Sequence, residues 1–189
     1  MSDFALHLLR HGAPEQPGLL MGRTDGAPTV AGIAACALQA SDLGMEQLVT
    51  SDLSRCRLAA TAIGHASGLA PVIDPFWREL DFGDWDGQAT ADIDREALGR
   101  FWDDPDANPP PGGERWSALV SRVAGAISAI APAPTLVVTH GGAIRAALHI
   151  LCGFGQRQLW SFDLPYGVLV SLRVWPGKRP AAQIAGLYP

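Results

Sequence analysis

The sequence has few cysteines, few charges and no long hydrophobic run, and each shortage excludes a class of protein. Its three cysteines, Cys36, Cys56 and Cys152, are odd in number and widely spaced. They show no metal-binding pattern and predict reduced thiols in a cytoplasm. No apolar stretch approaches the roughly 20 residues needed to span a bilayer. Because Asp3 rather than a basic residue precedes the first apolar run, we also expect no signal peptide.

Basic residues are also in short supply. The 14 Lys and Arg residues are outnumbered by 19 Asp and Glu residues, which gives a net charge of −5 and a pI near 5.4. They are not clustered either, so we expect neither nucleic acid nor a membrane as a partner. A hydrophobic content of 48% is typical of a globular protein with a substantial core. We predict that residues 1–189 form one domain.

The patterns that are present alternate between strand and helix. Short apolar runs predict strands over 4–9, 47–50, 71–73, 135–139, 168–175 and 182–187, the last two forming a hairpin. Helical spacing predicts helices over 29–43, 51–68, 90–102, 116–130 and 143–151. This order predicts an α/β fold, a three-layer α/β/α sandwich with a mostly parallel central sheet. The segment 103–113, rich in Pro and Gly, is interpreted as a surface excursion rather than a linker.

Two strand-to-helix turns of the same form carry the candidate chemistry. Arg10, His11 and Gly12 follow the first strand, and the run His140–Gly142 follows the strand over 135–139. In an open α/β sheet, ligands bind beyond the carboxyl ends of the strands. Glycines followed by the amides of a new helix favour an anion there. The pair of turns therefore predicts one anion site, and a buried arginine beside it would need such a partner.

Each histidine also has a plainer interpretation, as a structural residue at the end of a strand or the start of a helix. A second alternative is a zinc site made of His7 and His11. On a strand these residues would lie about 13 Å apart, which is too far for one metal ion, and no carboxylate accompanies them. We therefore predict no metal, and we expect His7 to hydrogen bond within the sheet.

Two further stretches lie where ligands are expected. Thr50–Arg57 follows a strand and opens a helix, so Arg55 or Arg57 could direct a guanidinium at a phosphate, although such arginines are more often solvated. Trp77–Trp85 places carboxylates among aromatic residues, where a carboxyl group can serve as a proton donor. A packed acidic loop explains that stretch equally well. Four tryptophans could line an apolar rim, although the core is their default location: Trp77, Trp85, Trp102 and Trp116.

Four motifs, in the same order along the chain, resemble the histidine phosphatase superfamily, which has the phosphoglycerate mutase-like fold. Leu9–Gly12 resembles its Arg-His-Gly signature, and Ser51–Cys56 resembles its Ser-x-Leu-x-Arg-Ala segment, with Cys56 in place of Ala. Arg78–Gly87 is similar to its Glu-x-x-Phe-Gly-x-Trp-Glu-Gly run. Val138–Gly142 resembles the segment that holds the second histidine. Together the motifs span most of the chain.

The resemblance implies a metal-independent phosphomonoesterase that needs no cofactor and acts on a small phosphorylated metabolite. It implies that His11 attacks phosphorus and forms a phosphohistidine. It makes Glu79 the acid that protonates the leaving group, with His140 as the other catalytic histidine. Phosphate binding is then assigned to four residues, Arg10, Arg55, His140 and Gly141.

Within the superfamily, the chain is most similar to alpha-ribazole phosphatases, which act in cobalamin nucleotide-loop assembly. The likeness lies in the overall length, the loop 22–25 and the segment 110–114, and it makes Arg23 and Thr24 candidates for a substrate-binding loop. The implied reaction converts alpha-ribazole 5'-phosphate into alpha-ribazole and phosphate. Three alternatives stay open: a broad-specificity phosphatase, a phosphoglycerate mutase-type phosphotransferase and a phospho-ligand binding module. Two copies of the chain could also pair as a homodimer.

Overall fold

The computed structural model describes residues 2–189 and has a six-stranded sheet at its centre. The strands are β1 (Phe4–Arg10), β2 (Gln47–Thr50), β3 (Val72–Ile73), β4 (Thr135–Thr139), β5 (Leu169–Trp175) and β6 (Ala181–Tyr188). They lie in the order β3-β2-β4-β1-β5-β6. The first four in that order are parallel, and β5 and β6 form an antiparallel hairpin at the other edge. The predicted α/β class and the mostly parallel sheet are confirmed.

Helices cover both faces of the sheet. They are α1 (Val30–Ala40), α2 (Ser54–Ser67), α3 (Arg95–Asp103), α4 (Trp116–Ala129), α5 (Gly141–Cys152) and α6 (Gln156–Leu159). Helices α1 and α2 pack together on one face, and α4 and α5 pack together on the other. Three short 3-10 turns, over Pro75–Trp77, Gly83–Trp85 and Thr90–Asp92, interrupt the irregular stretch between β3 and α3.

The two central strands are buried on both faces, as their continuous apolar runs predict. In β1, Leu8 faces the core beneath α4 and α5, whereas its neighbour Leu9 faces the core beneath α1 and α2. In β4, Val137 and Val138 alternate in the same way. Because successive side chains of a strand point to opposite faces, these two strands join both cores and form the rigid base from which the site rises.

Local signals set several of the helix ends. The side chain of Thr29 accepts a hydrogen bond of 2.9 Å from the amide of Gly32 and caps α1, as predicted. Helices α2 and α5 end at Gly68 and Gly153, whose φ angles of +75° and +72° lie in the left-handed region that favours glycine.

The structure differs from the sequence-based prediction between residues 90 and 102. Instead of one helix there is a 3-10 turn over Thr90–Asp92, and α3 starts only at Arg95. The carboxylate of Asp94 accepts a hydrogen bond of 2.8 Å from the amide of Ala97, so it caps a later helix start. The short helix α6 had no strong sequence signal and was not predicted.

The segment 103–113 packs on the site-forming stretch 81–84. The amide of Asp84 donates to the carbonyl of Pro111 at 2.8 Å, and a Cβ added to Gly83 would lie only 2.2 Å from that carbonyl oxygen. The segment therefore lies against the rest of the fold, and strands from before and after it share the same two cores.

We predict that Gly12→Ala destabilises the fold. A Cβ at Gly12 would lie 2.1 Å from the backbone oxygen of Gly32, so α1 would have to move away from the turn after β1. Overpacking of this kind costs about 1–3 kcal/mol in the free energy of unfolding, measurable by urea denaturation. The matched control is Gly44→Ala, where nothing lies within 4 Å of the added carbon. Equal stability of the two variants would contradict the close approach.

Candidate active site

His11 lies in the turn directly after β1 and is 5% exposed. Its Nδ1 donates to the carbonyl oxygen of Gly12 at 2.8 Å, which leaves Nε2 as the nitrogen with a free lone pair. Strand β1 pairs with β4 so that Arg10 lies opposite Thr139, and the backbone amide of His11 donates to the Thr139 carbonyl at 2.9 Å. This register brings His11 and His140 together, with their ring centroids 5.1 Å apart.

Both imidazoles are held in the neutral form. Burial, with a further contribution from the charge of Arg55, lowers the pKa of His11 to about 3. Burial and the charge of Arg55 also lower the pKa of His140 well below its usual range. A neutral imidazole with one nitrogen free is the form that can attack an electrophile.

His140 precedes α5 and is completely buried. Its Nε2 lies 3.0 Å from the hydroxyl oxygen of Ser51, and its Nδ1 accepts from Nε of Arg55 at 3.3 Å. The thiol of Cys56 lies 3.3 Å from Nε2 and donates to the carbonyl of Thr139 at 3.4 Å. Both ring nitrogens of His140 therefore have protein partners in this structure.

Arg55, and not Arg57, reaches the site. Its side chain is 1% exposed, while Arg57 lies on the exposed face of α2. Besides its contact with His140, the Arg55 guanidinium donates to the carbonyls of Met21 and Thr24, both at 2.8 Å. Arg55 therefore places a buried positive charge beside both histidines and also anchors the loop that passes over them.

Arg10 lies at the end of β1 and is stacked on the ring of Tyr166, with its guanidinium carbon 4.2 Å from the ring centroid. Its Nη1 donates to the carbonyl of Leu164. Its Nε is buried and has no hydrogen-bond partner among residues 2–189. A buried donor without a partner is costly, so this atom is available for an anionic ligand.

Glu79 is oriented by two backbone amides. Its Oε2 accepts from Gly142 at 3.1 Å, and its Oε1 accepts from Leu80 at 2.8 Å. A Cβ added to Gly142 would lie 2.1 Å from Oε1, so only glycine leaves room for the carboxylate. The second glycine after His140 thus brings the predicted acid to the first turn of α5. Gly141 opens that helix, where a backbone amide has no helical partner.

Arg122, on α4, was not identified from the sequence and holds in place the backbone of the segment that carries Glu79, the predicted acid. It forms an ion pair with Glu114, with contacts of 2.8 and 2.9 Å. It also donates to the carbonyls of Phe76, Arg78 and Glu79 at 2.7–2.8 Å. One guanidinium thereby satisfies three carbonyls of an irregular stretch that has no strand or α-helix of its own.

A second ion pair joins two of the motifs. The guanidinium of Arg78 binds the carboxylate of Asp52 through Nε at 2.7 Å and through Nη2. This bidentate pair holds the pKa of Asp52 below its usual range. It ties the segment that carries Arg55 to the segment that carries Glu79.

Arg23 and Thr24 lie outside the pocket in this structure. The Arg23 side chain forms an exposed ion pair with Asp81 at 3.0 Å. The amides of Arg23 and Thr24 donate to the carboxylate of Asp86 at 2.5 and 3.1 Å. These contacts shape the loop 22–25, and the residues 19–21 just before it line the pocket.

A pocket of about 210 Å³ opens above His11. Its polar end is formed by Arg10, His11, Glu79, Gly142 and Arg145. Its aromatic end is formed by Phe82, Phe101, Trp102, Trp116, Trp160 and Tyr166. Arg55 and His140 are buried behind this lining. Of the four tryptophans considered from the sequence, Trp102 and Trp116 lie at the pocket, while Trp77 and Trp85 belong to the core.

Neither a metal centre nor a membrane span is found in the described part of the chain. No three or more His, Cys, Asp or Glu side chains gather there as metal ligands would. His7 lies in β1 with its Nδ1 2.8 Å from the hydroxyl of Ser171, the internal hydrogen bond that its position predicts. None of the helices over residues 2–189 is both long and apolar enough to cross a bilayer.

The family model described as histidine phosphatase superfamily (branch 1) matches residues 6–185. The chain belongs to this superfamily. The named relatives include phosphatases, and together with the family match they assign the protein to the phosphoric monoester hydrolases. The predicted resemblance is confirmed at the level of the superfamily.

Three similar proteins illustrate the degree of similarity. Glucosyl-3-phosphoglycerate phosphatase of Mycobacterium tuberculosis is 29% identical over 160 residues, which cover 75% of this chain and 72% of the relative. The structure of TTHB049 from Thermus thermophilus is 31% identical, with a TM-score of 0.75, and covers 98% of this chain and 99% of its own. A candidate alpha-ribazole-5'-P phosphatase from Escherichia coli has a TM-score of 0.82 over 98% of this chain and 96% of its own. Its identity of 23% shows the fold alone.

We predict that His11 does not titrate between about pH 5 and pH 8 in the free enzyme. Its pKa of about 3 lies far below the ordinary value of 6.5. Near pH 5 the His11 ring is therefore neutral in the folded protein but protonated in the unfolded chain. The free energy of unfolding should therefore fall as the pH drops below about 6.5. Histidine NMR resonances would report the titration, with the urea-unfolded protein as the control. A midpoint for His11 between about pH 6 and pH 7 in the folded protein would contradict the neutral assignment.

We predict that Gly142→Ala impairs proton donation more than phosphoryl binding. The added methyl group would displace the Glu79 carboxylate, which is the flexible end of a side chain, so the fold should survive. The loss in kcat should be larger for an alkyl phosphate than for p-nitrophenyl phosphate, whose leaving group needs no acid. Gly125→Ala, at a position with open space, is the control. Equal losses for the two substrates would argue against this placement of the acid.

Proposed function

We propose that the protein is a metal-independent phosphomonoesterase that works through a phosphohistidine on His11. The observation that carries the proposal is the state of His11: neutral, fixed through Nδ1 to the Gly12 carbonyl, and left with Nε2 free at the pocket. Beside it lie the buried charge of Arg55, the unpaired Nε of Arg10 and the carboxyl group of Glu79. Together these supply a nucleophile, positive charge and a proton donor.

In the first half-reaction, the lone pair on Nε2 of His11 forms a bond to phosphorus while the bond from phosphorus to the ester oxygen breaks. The electron pair of the broken bond stays on that oxygen, and protonated Glu79 delivers its proton there, so the alcohol leaves neutral. The positive charge of Arg10 and Arg55 stabilises the negative charge spread over the three equatorial oxygens.

In the second half-reaction, Glu79, now ionised, takes a proton from water, and the water oxygen bonds to phosphorus as the phosphorus–nitrogen bond breaks. Inorganic phosphate leaves and His11 returns to its neutral form. The proposal assigns phosphate binding to Arg10, Arg55, His140 and Gly141. Arg10 and Gly141 line the pocket in this structure, whereas Arg55 and His140 lie behind the lining and would exchange some of their present hydrogen bonds for bonds to the phosphoryl oxygens. In mutagenesis of comparable sites, losing one such donor costs on the order of 10²–10³ in kcat.

The aromatic end of the pocket supports a substrate with a bulky alcohol. Trp102, Trp116 and Trp160 present apolar surface a short distance from His11 and leave space for a ring system. Alpha-ribazole 5'-phosphate, with its flat apolar base, is our finer proposal for the substrate, in keeping with the likeness noted in the loop 22–25 and the segment 110–114. A role in cobalamin biosynthesis would follow from that substrate.

The location and assembly that we propose rest on the sequence. All three cysteines are free thiols, in keeping with a cytoplasmic enzyme. The partner is a small phosphorylated metabolite. Pairing of two chains as a homodimer stays a prediction, to be measured by light scattering coupled to size-exclusion chromatography.

We predict that the wild-type enzyme, mixed with a ³²P-labelled phosphomonoester and quenched, yields a labelled protein whose bond is labile to acid and stable to base. Hydrolysis should continue in excess EDTA, with release of inorganic phosphate. His11→Asn should form no labelled protein and lose activity by at least about 10³-fold, because the nucleophile is gone. His65→Asn, on the exposed face of α2, is the control and should behave as the wild type.

Three outcomes would count against the proposal. Labelling of His11→Asn would refute the nucleophile. Binding of phosphomonoesters without any labelled protein would favour a binding module. Recovery of the phosphoryl group on a second hydroxyl of the substrate, dependent on a bisphosphate primer, would favour a mutase.

A further inference from the structure

Arg145 is a third arginine at the pocket, and sequence reasoning did not identify it. It lies on α5 one turn after Gly141, so its side chain leaves the helix at the end that carries the second histidine. It lines the pocket together with Arg10 and Glu79. Its place on a helix with apolar neighbours gave no sequence signal that it faces the site.

The guanidinium of Arg145 is poorly satisfied by the protein. Its Nη2 donates to the carbonyl of Phe162 at 3.2 Å, and its Nη1 makes only a long contact of 3.5 Å with the carbonyl of Gly141. Its Nε is buried without a partner, and no carboxylate of residues 2–189 lies within ion-pair distance. An arginine offers five N–H donors, so most of its capacity is unused.

Arg122 shows what a structural arginine looks like in the same protein. It has an ion pair with Glu114 and donates to three backbone carbonyls at normal distances. Arg145 has neither the carboxylate nor the short contacts. A mainly structural role would not explain why its guanidinium forms no ion pair.

Arg145 and Arg10 converge on the same point of the pocket. A Cβ built on Gly141 would lie 3.4 Å from Nη1 of Arg145 and 3.7 Å from the guanidinium carbon of Arg10. Burial, with a contribution from the charge of Arg10, lowers the pKa of Arg145, and the charge of Glu79 offsets part of that effect. Two guanidiniums held this close are stabilised when negative charge lies near both of them.

The contact of Arg145 with the ring of Trp160 places its guanidinium near the leaving-group half of a substrate. Its guanidinium carbon lies 4.6 Å from the ring centroid of Trp160, which in turn packs edge-to-face on Trp102 with centroids 5.0 Å apart. Both tryptophans belong to the aromatic end of the pocket. Arg145 therefore stands at the boundary between the phosphoryl end, marked by Arg10, and the wall that would receive the alcohol.

We propose that Arg145 forms an anion-binding subsite for the leaving-group half of the substrate, so that the enzyme favours phosphomonoesters whose bulky alcohol carries a carboxylate. The proposal rests on the proposed phosphatase activity and not on alpha-ribazole 5'-phosphate as the substrate, because the alcohol of that ester carries no carboxylate. The carboxylate would receive two N–H groups of Arg145, while Arg10 and the rest of the site hold the phosphoryl group. The stacking on Trp160 keeps the guanidinium plane oriented before the substrate arrives.

The test compares two substrates that differ in charge and hardly in shape: 3-carboxyphenyl phosphate and 3-carbamoylphenyl phosphate. The wild-type enzyme should show a higher kcat/KM for the carboxylate, because a hydrogen bond to a charged partner contributes roughly 10- to 100-fold. In Arg145→Met the ratio of the two kcat/KM values should fall by about the same factor. Arg145→Lys, which keeps the charge but not the fork, should give an intermediate ratio. Arg57→Met removes an exposed arginine and is the matched control for net charge, so its ratio should stay at the wild-type value.

A second measurement needs no variant. The alcohols 3-hydroxybenzoate and 3-hydroxybenzamide are tested as competitive inhibitors of the wild-type enzyme, and the benzoate should bind more tightly. Equal inhibition together with equal kcat/KM values for the two phosphates would overturn the subsite. An equal loss on both substrates in Arg145→Met would also overturn it, since that result assigns Arg145 to the phosphoryl group or to the fold. Failure of the wild-type enzyme to hydrolyse either substrate or phenyl phosphate would instead refute the phosphatase.

Discussion

The parallel pairing of β1 with β4 is the constraint on which the site depends. It sets Arg10 opposite Thr139, and the amide of His11 continues the ladder by donating to the Thr139 carbonyl at 2.9 Å. His11 and His140 therefore follow the ends of neighbouring strands, and their ring centroids lie 5.1 Å apart. Because the two strands are buried on both faces, a shift in register by one residue would exchange their core contacts, so packing of the whole protein fixes the distance between the two rings.

Arginines that form ion pairs and arginines that do not have different roles in this protein. Arg78 and Arg122 form ion pairs with Asp52 and Glu114. Arg78 thereby links two of the motifs, and Arg122 also holds three backbone carbonyls of an irregular stretch. The three arginines at the site, Arg10, Arg55 and Arg145, form no ion pair in the described part of the chain. Positive charges that are at least partly buried and form no ion pair are unfavourable in the free enzyme, and a bound phosphomonoester dianion would reduce that penalty. The scaffold therefore supplies the rigidity that keeps like charges close together.

Local chemistry made much of this structure predictable from the sequence. Continuous apolar runs predict buried strands. Thr29 and Gly68 mark a helix start and a helix end because each interacts with backbone close to it in the sequence. The two similar turns predict that His11 and His140 lie close together. The helix start at Asp94 was missed because the sequence allows an equally plausible helix start earlier, at Thr90. Arg122 and Arg145 were missed because their roles depend on which way a helix face points. For the same reason the sequence identified the loop around Arg23 but not the side of it that lines the pocket.

Resemblance and electrostatics lead to different expectations for the substrate, and the difference is informative. An aromatic wall with Trp102 and Trp160 suits the uncharged base of alpha-ribazole, since apolar surface is buried on both partners. Bound alpha-ribazole 5'-phosphate would also exclude water from the Arg145 guanidinium without offering it an anion. Removing water from an unpaired charge is unfavourable. An alcohol that carries both a ring and a carboxylate would pack on the aromatic wall and pair with the Arg145 guanidinium. The apolar wall thus sets the size of the substrate, while the unpaired guanidinium discriminates between alcohols of equal size.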